Sequence, residues 1–543
     1  MDAATLRTQL LSGDLVDLRA GQPELDDLAA VDQWGSARDV PADLLVDLVT
    51  APVTGSAVRR QIRLAGARIT GQLDLHTATL TRSLLLRRCV LTQPVVVVDA
   101  DVLAVGFPGS RVPGLDATGM RCRGSVNLSA GFTAEGEVQL SGAHIGGQID
   151  CSDGTFRNPG GRALDCDGLT VNQGMFCGDG FTAEGEVWLM AAHIRGHLNC
   201  AGGTFRNPGG RALTADGLTV DQSVYCRDGF TAEGEVRLVG AHIGGRLDCT
   251  DGTFRNPGGR ALVGDMLTVD RAMLCRDGFT AEGEVRLVGA HIGEQLDCFG
   301  GTFRNPEGLA LDLEWAEIHG PVQMLPAAFD GGLDLTFARA GVWQDNARTW
   351  PKNISLNGFT YTTIRADPPT VAERLSWLRR DPAGYLPNSY EQLAASYRRK
   401  GDDAQARQVL IAKQWHRRAS HASRWRRWPA IAWSAVLRTT IGYGYRPWLV
   451  LWWAGALFLI GWWVFDRDYD KGDIVPKADD PASLTFNAAR YTADLLLPVA
   501  NLGERARFTA VGDAAWHAFA WTLAGWLLAI VLVAGLSGVF KRD

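Results

Sequence analysis

The sequence predicts a β-solenoid, a right-handed parallel β-helix of about 24–25 residues per coil, followed by an α-helical connector and two transmembrane helices. Three observations lead to this prediction: a 49-residue repeat, a high glycine content, and two long apolar stretches near the C-terminus. The chain has 543 residues, of which 63 are Gly and 18 are Trp, and its net charge is −6. This composition excludes a wholly disordered chain, a polytopic transporter and a generally basic nucleic-acid binder.

The repeat dominates the first two thirds of the chain. The string GFTAEGEV begins at Gly131, Gly180, Gly229 and Gly278, which is a step of 49 residues. Each unit divides into two similar coils, and in each coil short segments alternate apolar and polar residues, as in 148–151. Such alternation is typical of strands, while Gly tolerates the positive φ angles of corners. Short strands at a fixed coil length indicate a parallel β-helix.

The domain boundaries are predicted at the places where the repeat pattern becomes weak on either side. We expect a helical N-terminal cap over residues 1–60, because an open solenoid end would expose a sheet edge and the core. The β-helix is predicted over 61–366 and a helical connector over 367–430, which includes one tetratricopeptide-like helix pair at 389–414. A membrane domain is predicted over 431–543.

The cysteines follow the repeat. Seven of the ten, at steps of 26 and 23 residues, are predicted to occupy one interior position in consecutive coils: Cys151, Cys177, Cys200, Cys226, Cys249, Cys275 and Cys298. Their spacing fits no zinc motif, and stacked parallel side chains are too far apart for disulfides. Buried free thiols suit a reducing compartment, and the alternative is a soft-metal or iron–sulfur ladder.

Two further rows are predicted on the surface of the β-helix. The histidines of the Ala-His-Ile strings recur every two coils, about 9.6 Å apart, too far to share one metal ion. The TFRNP loops carry a row of arginines that is a candidate partner surface or anion site, with a solvated corner as the alternative: Arg157, Arg206, Arg255 and Arg304. Residues 131–326 hold 27 Asp and Glu against 14 Lys and Arg, which disfavours direct nucleic-acid binding.

The C-terminal region predicts membrane insertion. Residues 448–465 and 515–540 are long enough to span a bilayer, and the loop between them contains a predicted short helix at 484–499. The predicted anchor and topology residues are Arg424, Arg426, Arg427, Arg446, Trp448, Trp452, Trp453, Trp462 and Trp463. The segments outside the spans are basic and the loop is acidic, so both termini are predicted in the cytoplasm of a multi-pass inner-membrane protein.

The chain resembles a known family in four places: LAGARITGQLDL at 64–75, the helix pair at 389–414, GYGYRP at 442–447, and DLLLPV at 494–499. This is an actinobacterial family of membrane proteins with a pentapeptide-repeat-like β-helix. The family is often labelled "membrane-associated oxidoreductase". The resemblance implies a β-helix joined to a membrane domain and, from the label, a redox activity.

The motifs favour a binding role over catalysis. No dinucleotide fingerprint, phosphate-binding loop or nucleophile elbow occurs, so we predict no catalytic, cofactor-binding or metal-binding residue and no cofactor. We therefore expect a membrane-anchored cytoplasmic scaffold, with the lipid bilayer, a protein along the β-helix and a second copy through the membrane helices as partners. The alternatives are a channel-like or sensor protein, from the span–helix–span order, and the redox protein that the family label implies.

Overall fold

A computed structural model of the chain confirms the predicted β-solenoid, which has about 13 turns. The structure describes residues 3–22, 26–53, 61–366, 370–421, 449–477, 485–497 and 502–536. The chain divides into two compact units, Met1–Gln392 and Leu393–Asp543.

One 49-residue unit shows how the solenoid is built. All its strands pair in parallel with those of the next turn, so that Thr133 faces Thr155, and Thr155 faces Thr182. His144 likewise faces Thr170, which faces His193. Equivalent positions of consecutive turns therefore form straight rows along the solenoid. The strands of this unit are Thr133–Ala134, Val138–Gln139, His144–Ile145, Ile149–Asp150, Thr155–Asp165, Thr170–Val171 and Met175–Phe176.

The remaining strands repeat this order with small changes in length. Upstream they are Leu15–Asp17, Asp39–Pro41, Gln61–Ala65, Arg68–Thr70, Ser83–Arg87, Val90–Leu91, Val95–Val96, Asp101–Val102, Val105–Gly106, Arg111–Val112, Leu115–Asp116, Arg121–Cys122 and Val126–Asn127. In the later repeats they are Thr182–Trp188, His193–Ile194, Leu198–Asn199, Thr204–Thr214, Thr219–Val220, Val224–Tyr225, Thr231–Arg237, His242–Ile243, Leu247–Asp248, Thr253–Val263, Thr268–Val269, Met273–Leu274, Thr280–Arg286, His291–Ile292, Leu296–Asp297 and Thr302–Asp312. The last turns contain Glu317–Met324, Ala328–Asp334, Arg339–Asp345, Ile354–Ser355 and Thr360–Ala366.

A row of phenylalanine rings fills one side of the core. The rings of Phe156 and Phe181 lie 5.2 Å apart between centroids, and those of Phe205 and Phe230 lie 5.3 Å apart. The row consists of Phe132, Phe156, Phe181, Phe205, Phe230, Phe254, Phe279 and Phe303, all fully buried. Each ring comes from the same position of its turn, because the strand alternation points that position inward in every copy.

Short elements cover both ends of the solenoid. At the N-terminal end, strand Leu15–Asp17 pairs with Gln61–Ala65, and Arg68 bonds Asp39 on the neighbouring strand at 2.6 Å. At the C-terminal end, the backbone N–H of Leu356 donates to Asp381 at 2.7 Å. The helices and 3-10 turns of this unit are Ala3–Leu11, Leu28–Gln33, Ser36–Arg38, Ala42–Thr50, Ala347–Thr349 and Val371–Leu378, together with the start of Pro387–Arg399.

The second unit is helical. Its core is built around Phe465, Tyr491, Leu495 and Phe508, which are buried together. A short antiparallel pair, Ile474–Pro476 with Phe508–Ala510, lies beside this core. Its helices after the end of Pro387–Arg399 are Asp403–His421, Leu449–Asp470, Ala488–Leu496, Glu504–Arg507 and Asp513–Leu536.

The prediction of two transmembrane helices is wrong. The prediction of a multi-pass inner-membrane protein with both termini in the cytoplasm is wrong as well. Over the described ranges, no helix has the length and apolar character that crossing a membrane requires. Helix Leu449–Asp470 continues from the predicted span into Asp466, Arg467 and Asp468. Helix Asp513–Leu536 begins at an aspartate and carries His517 and Thr522 in its first half. The charged residues end the uncharged stretch of the first helix after residue 465, and His517 and Thr522 interrupt that of the second, whereas a span needs about 20 predominantly apolar residues.

Candidate functional site

The predicted membrane-anchor residues fall into two groups. Five lie outside the described residues: Arg424, Arg426, Arg427, Arg446 and Trp448. Four are exposed on helix Leu449–Asp470: Trp452, Trp453, Trp462 and Trp463. The guanidinium of Arg467 lies over the Trp463 ring, 5.6 Å from its centroid. Because this helix is not a span, the anchor role predicted for these residues is not retained.

The cysteine row lies in the interior, as the repeat predicted. All ten cysteines are free and buried. The backbone N–H of Cys151 donates to Phe176 O and that of Cys177 to Asn199 O, at 2.8 and 2.7 Å, so successive cysteines stack turn on turn. Outside this row, burial raises the pKa of Cys89 to about 12 and that of Cys122 to about 11. These two thiols are protonated at neutral pH, and only a thiolate is a strong nucleophile or metal ligand.

We expect the ten thiols to be inert toward Ellman's reagent in the folded protein. Because every thiol is buried, reaction requires local or global opening, and it should proceed at least about 100-fold more slowly than in unfolded protein. The measurement is the reaction time course with and without denaturant. Rapid reaction of even one thiol without denaturant would contradict the burial of all ten cysteines.

The histidine row lies on the surface, and three of its four members contact carboxylates. His193 Nε2 lies 2.8 Å from Asp221, His242 Nε2 lies 3.1 Å from Asp270, and His291 Nε2 lies 2.8 Å from Glu317. Each of these histidines thus has its own acidic partner on the adjacent surface. Within the described part of the chain, no group of three or more His, Cys, Asp or Glu side chains is arranged to hold a metal ion.

The predicted arginine row alternates with a row of acidic residues. Arg157 faces Glu184, Glu184 faces Arg206, and Arg206 faces Glu233 in successive turns. The ion pairs are loose, with N–O distances of 3.4 Å for Arg157–Glu184 and 3.5 Å for Arg206–Glu233. Their partners are 22 to 27 residues away along the chain. The arginines therefore belong to a surface of alternating charge, not to a basic stripe.

Three large apolar residues, missed by the sequence prediction, lie exposed at one corner of the solenoid. Trp315 and Phe337 are 54 % and 39 % exposed, and their rings stack with centroids 4.3 Å apart at an interplanar angle of 21°. Two turns before Trp315, Met266 is also exposed, and a Cβ atom at Gly289 would lie 2.7 Å from its Sδ. We call Met266, Trp315 and Phe337 the aromatic strip.

The backbone at the aromatic strip is strained. The φ angles are 57° at Met266, 58° at Trp315 and 56° at Phe337, in the left-handed region that bulky residues rarely adopt. Most other turns place Gly or Ala at this corner, and the first turns place Thr77 and Asp99 there: the Gly and Ala positions are Gly119, Gly142, Gly168, Ala191, Gly217, Gly240, Gly289 and Gly358. Large side chains in a glycine position cost about 1–3 kcal/mol each, and such strain clusters at functional sites. The break in the glycine spacing was a signal in the sequence that could have found the strip.

The surroundings of the aromatic strip are acidic. Asp312, Glu314 and Glu317 flank Trp315 in the sequence, and Asp265 precedes Met266. Of the nearest cations, Arg286 bonds both Asp265 and Asp312 at 3.0 Å, and Arg339 bonds Glu317 at 2.7 Å. Both of these arginines are thus already paired with carboxylates of the chain. A flat aromatic face in an acidic field attracts cationic groups.

Comparison with family models, with curated proteins and with solved structures finds no match to this chain.

Proposed function

We propose that the protein is a binding scaffold whose solenoid docks a basic peptide segment of a partner protein at the aromatic strip. The observation behind this proposal is the stacked, exposed pair Trp315 and Phe337 in strained backbone. A rigid solenoid fixes such a platform at no further conformational cost, because each turn is held by its neighbours.

The chemistry of the partner follows from the strip and its flank. A Lys or Arg side chain over the Trp315 ring gains cation–π attraction, about 0.5–1 kcal/mol at an exposed site. The aliphatic stem of that side chain packs on the ring, and the flanking carboxylates, such as Glu314, attract the charge. Met266 provides an adaptable apolar contact at the far end of the strip. A peptide that combines basic and apolar residues satisfies all three features.

Replacing Trp315 by Ala tests the proposal. We expect basic peptides to bind the full-length protein at least about 30-fold more weakly after the replacement, since a central aromatic anchor contributes 2 kcal/mol or more. The measurement is biolayer interferometry with immobilised full-length protein and an array of Lys- and Arg-rich peptides, with acidic versions of the same peptides as a reference set. Wild-type protein should bind the basic set and not the acidic set.

Phe299→Ala is the matched control, because Phe299 is an exposed aromatic residue at another corner of the solenoid. Its replacement should leave peptide binding unchanged. Failure of the wild-type protein to prefer basic peptides would overturn the proposal, and so would equal binding by wild-type and Trp315→Ala proteins.

A further inference from the structure

Every second turn of the repeat region carries a ridge. The strands of these turns have eleven residues, as in Thr155–Asp165, whereas Thr182–Trp188 in the next turn has seven. The extra residues form a turn in which Asn158 Nδ2 donates to Arg162 O at 2.8 Å, with Pro159 and Gly160 exposed. The same bond recurs from Asn207 and Asn256 at 2.8 and 2.9 Å. The ridges are 157–162, 206–211 and 255–260.

A groove lies between successive ridges. Its floor is a Glu-Gly-Glu segment, and the glycine lies close against the ridge before it. A Cβ atom at Gly185 would lie 2.5 Å from Asn158 O, and one at Gly234 would lie 2.6 Å from Asn207 O. Their φ angles of 130° and 126° also favour glycine. The grooves are 184–186, 233–235 and 282–284.

The charged residues repeat with the same two-turn period as the ridges and grooves. An arginine stands at each end of a ridge, as Arg157 and Arg162 do, and a glutamate at each end of a groove, as Glu184 and Glu186 do. The surface is therefore banded, positive on the ridges and negative in the grooves, with a period of two turns or about 9.6 Å. The arginines are about half exposed, and their ion pairs within the chain span 2.7 Å, for Arg162 with Asp165, to 4.0 Å. Each guanidinium keeps N–H donors for a second carboxylate.

We propose that two copies of this chain associate side by side and antiparallel, with the ridges of each copy in the grooves of the other. A surface that repeats positive ridges and negative grooves at one period is complementary to a second copy of itself. In a dimer with a two-fold axis, each arginine band of one copy faces a glutamate band of the other copy. Each such contact then occurs twice. A partner of other sequence would need the same 9.6 Å period in both shape and charge to fit equally well.

The banded face is large enough for a stable dimer. The three ridges and three grooves are six turns, which at about 4.8 Å per turn and about 3.3 Å per residue over a seven-residue strand give a face of roughly 670 Å². Two such faces together bury roughly 1,300 Å², which lies within the range of about 1,200–2,000 Å² for specific interfaces. The pattern ends in the fourth long turn, where Glu307 and Leu309 stand in place of the glycine and arginine of the other ridges. This interaction is separate from peptide docking, since the aromatic strip lies at another corner.

Two complementary variants of the full-length protein test the dimer. The first makes the grooves positive with Glu184→Arg, Glu233→Arg and Glu282→Arg. The second makes the ridges negative with Arg157→Glu, Arg206→Glu and Arg255→Glu. We expect wild-type protein to sediment as a dimer that weakens with rising salt, and each variant alone to dimerise at least about 100-fold more weakly because like bands face each other. Mixing the two variants should restore a dimer, since positive ridges then meet negative grooves.

Restoration on mixing also shows that both variants are folded. The control Asp221→Arg, Asp270→Arg and Glu294→Arg makes the same change of net charge on the face that carries the histidine row, and it should leave the dimer unchanged. A monomeric wild-type protein at low salt would overturn the proposal. Dimers of undiminished strength in either variant alone, or a mixture that stays monomeric, would do the same.

Discussion

Replacing Arg374 by Ala is expected to lower the free energy of unfolding of the solenoid by about 3–5 kcal/mol, because it leaves a buried carboxylate without its cation. Arg374 is 1 % exposed, and its guanidinium donates two hydrogen bonds to the carboxylate of Asp345, one of them at 2.8 Å from Nη1. The indole N–H groups of Trp343 and Trp350 donate to the same carboxylate, at 2.8 and 3.0 Å. All four groups close the C-terminal end of the solenoid.

This network attaches the helix Val371–Leu378 to the last turns. The helix begins with a capping box in which Thr370 and Glu373 satisfy each other's backbone N–H groups. Arg374 follows directly, and its guanidinium lies 5.1 Å from the Trp350 ring centroid and 5.4 Å from that of Trp377. Loss of the guanidinium therefore removes charge pairing and aromatic packing at one point, and the exposed end of the sheet should fray first.

Chemical denaturation followed by circular dichroism measures this effect. Arg379→Ala is the control, because Arg379 lies on the exposed side of the same helix end, and it should change stability by no more than about 0.5 kcal/mol. Replacing both Arg374 and Asp345 by Leu should not restore wild-type stability, since two indole N–H groups then lose their acceptor. If the Arg374→Ala protein were as stable as the Arg379→Ala protein, the ion pair of Arg374 with Asp345 would not stabilise the end of the solenoid.

The interior of the solenoid was predictable because the repeat multiplies one local pattern many times. Alternation places Phe156 and Cys151 inside in one unit, and the 49-residue step places their counterparts inside in the others. Long-range partners were not predictable in this way. In the sequence, Arg374 looks like an ordinary helical residue. Its partner Asp345 lies 29 residues earlier, and no sequence pattern links the two.

The surface was harder to predict than the core because its contacts also join residues that are far apart in the sequence. The arginine row was a candidate partner surface or anion site in the sequence, because the facing of Glu184 and Arg157 is seen only once the register of the turns is known. The predicted spans rested on apolar composition, which does not show where a helix ends. Helix Leu449–Asp470 includes charged residues beyond the apolar stretch. The sequence prediction gave roles only to tryptophans near the predicted spans, and it gave none to Trp315.

Replacing Phe230 by Ala is expected to lower the free energy of unfolding by about 3–5 kcal/mol, the cost of deleting a fully buried aromatic ring and leaving a cavity. Phe230 lies in the middle of the phenylalanine row, 5.3 Å from the Phe205 ring centroid and 5.2 Å from that of Phe254. Its removal breaks two ring contacts at once. Phe132 is the first residue of the row, and within the row its ring contacts only that of Phe156. Phe132→Ala should therefore lower the free energy of unfolding by less.

A solenoid transmits such a defect only through adjacent turns, because each turn contacts only its neighbours. Phe230→Ala should therefore also broaden the urea transition, or divide it into two steps, as the halves on either side of the cavity lose their cooperativity. Phe230→Leu keeps most of the volume and should retain one sharp transition, while the exposed Phe299→Ala should behave as wild type. A single transition at the wild-type midpoint in Phe230→Ala would mean that the row of rings does not couple the turns.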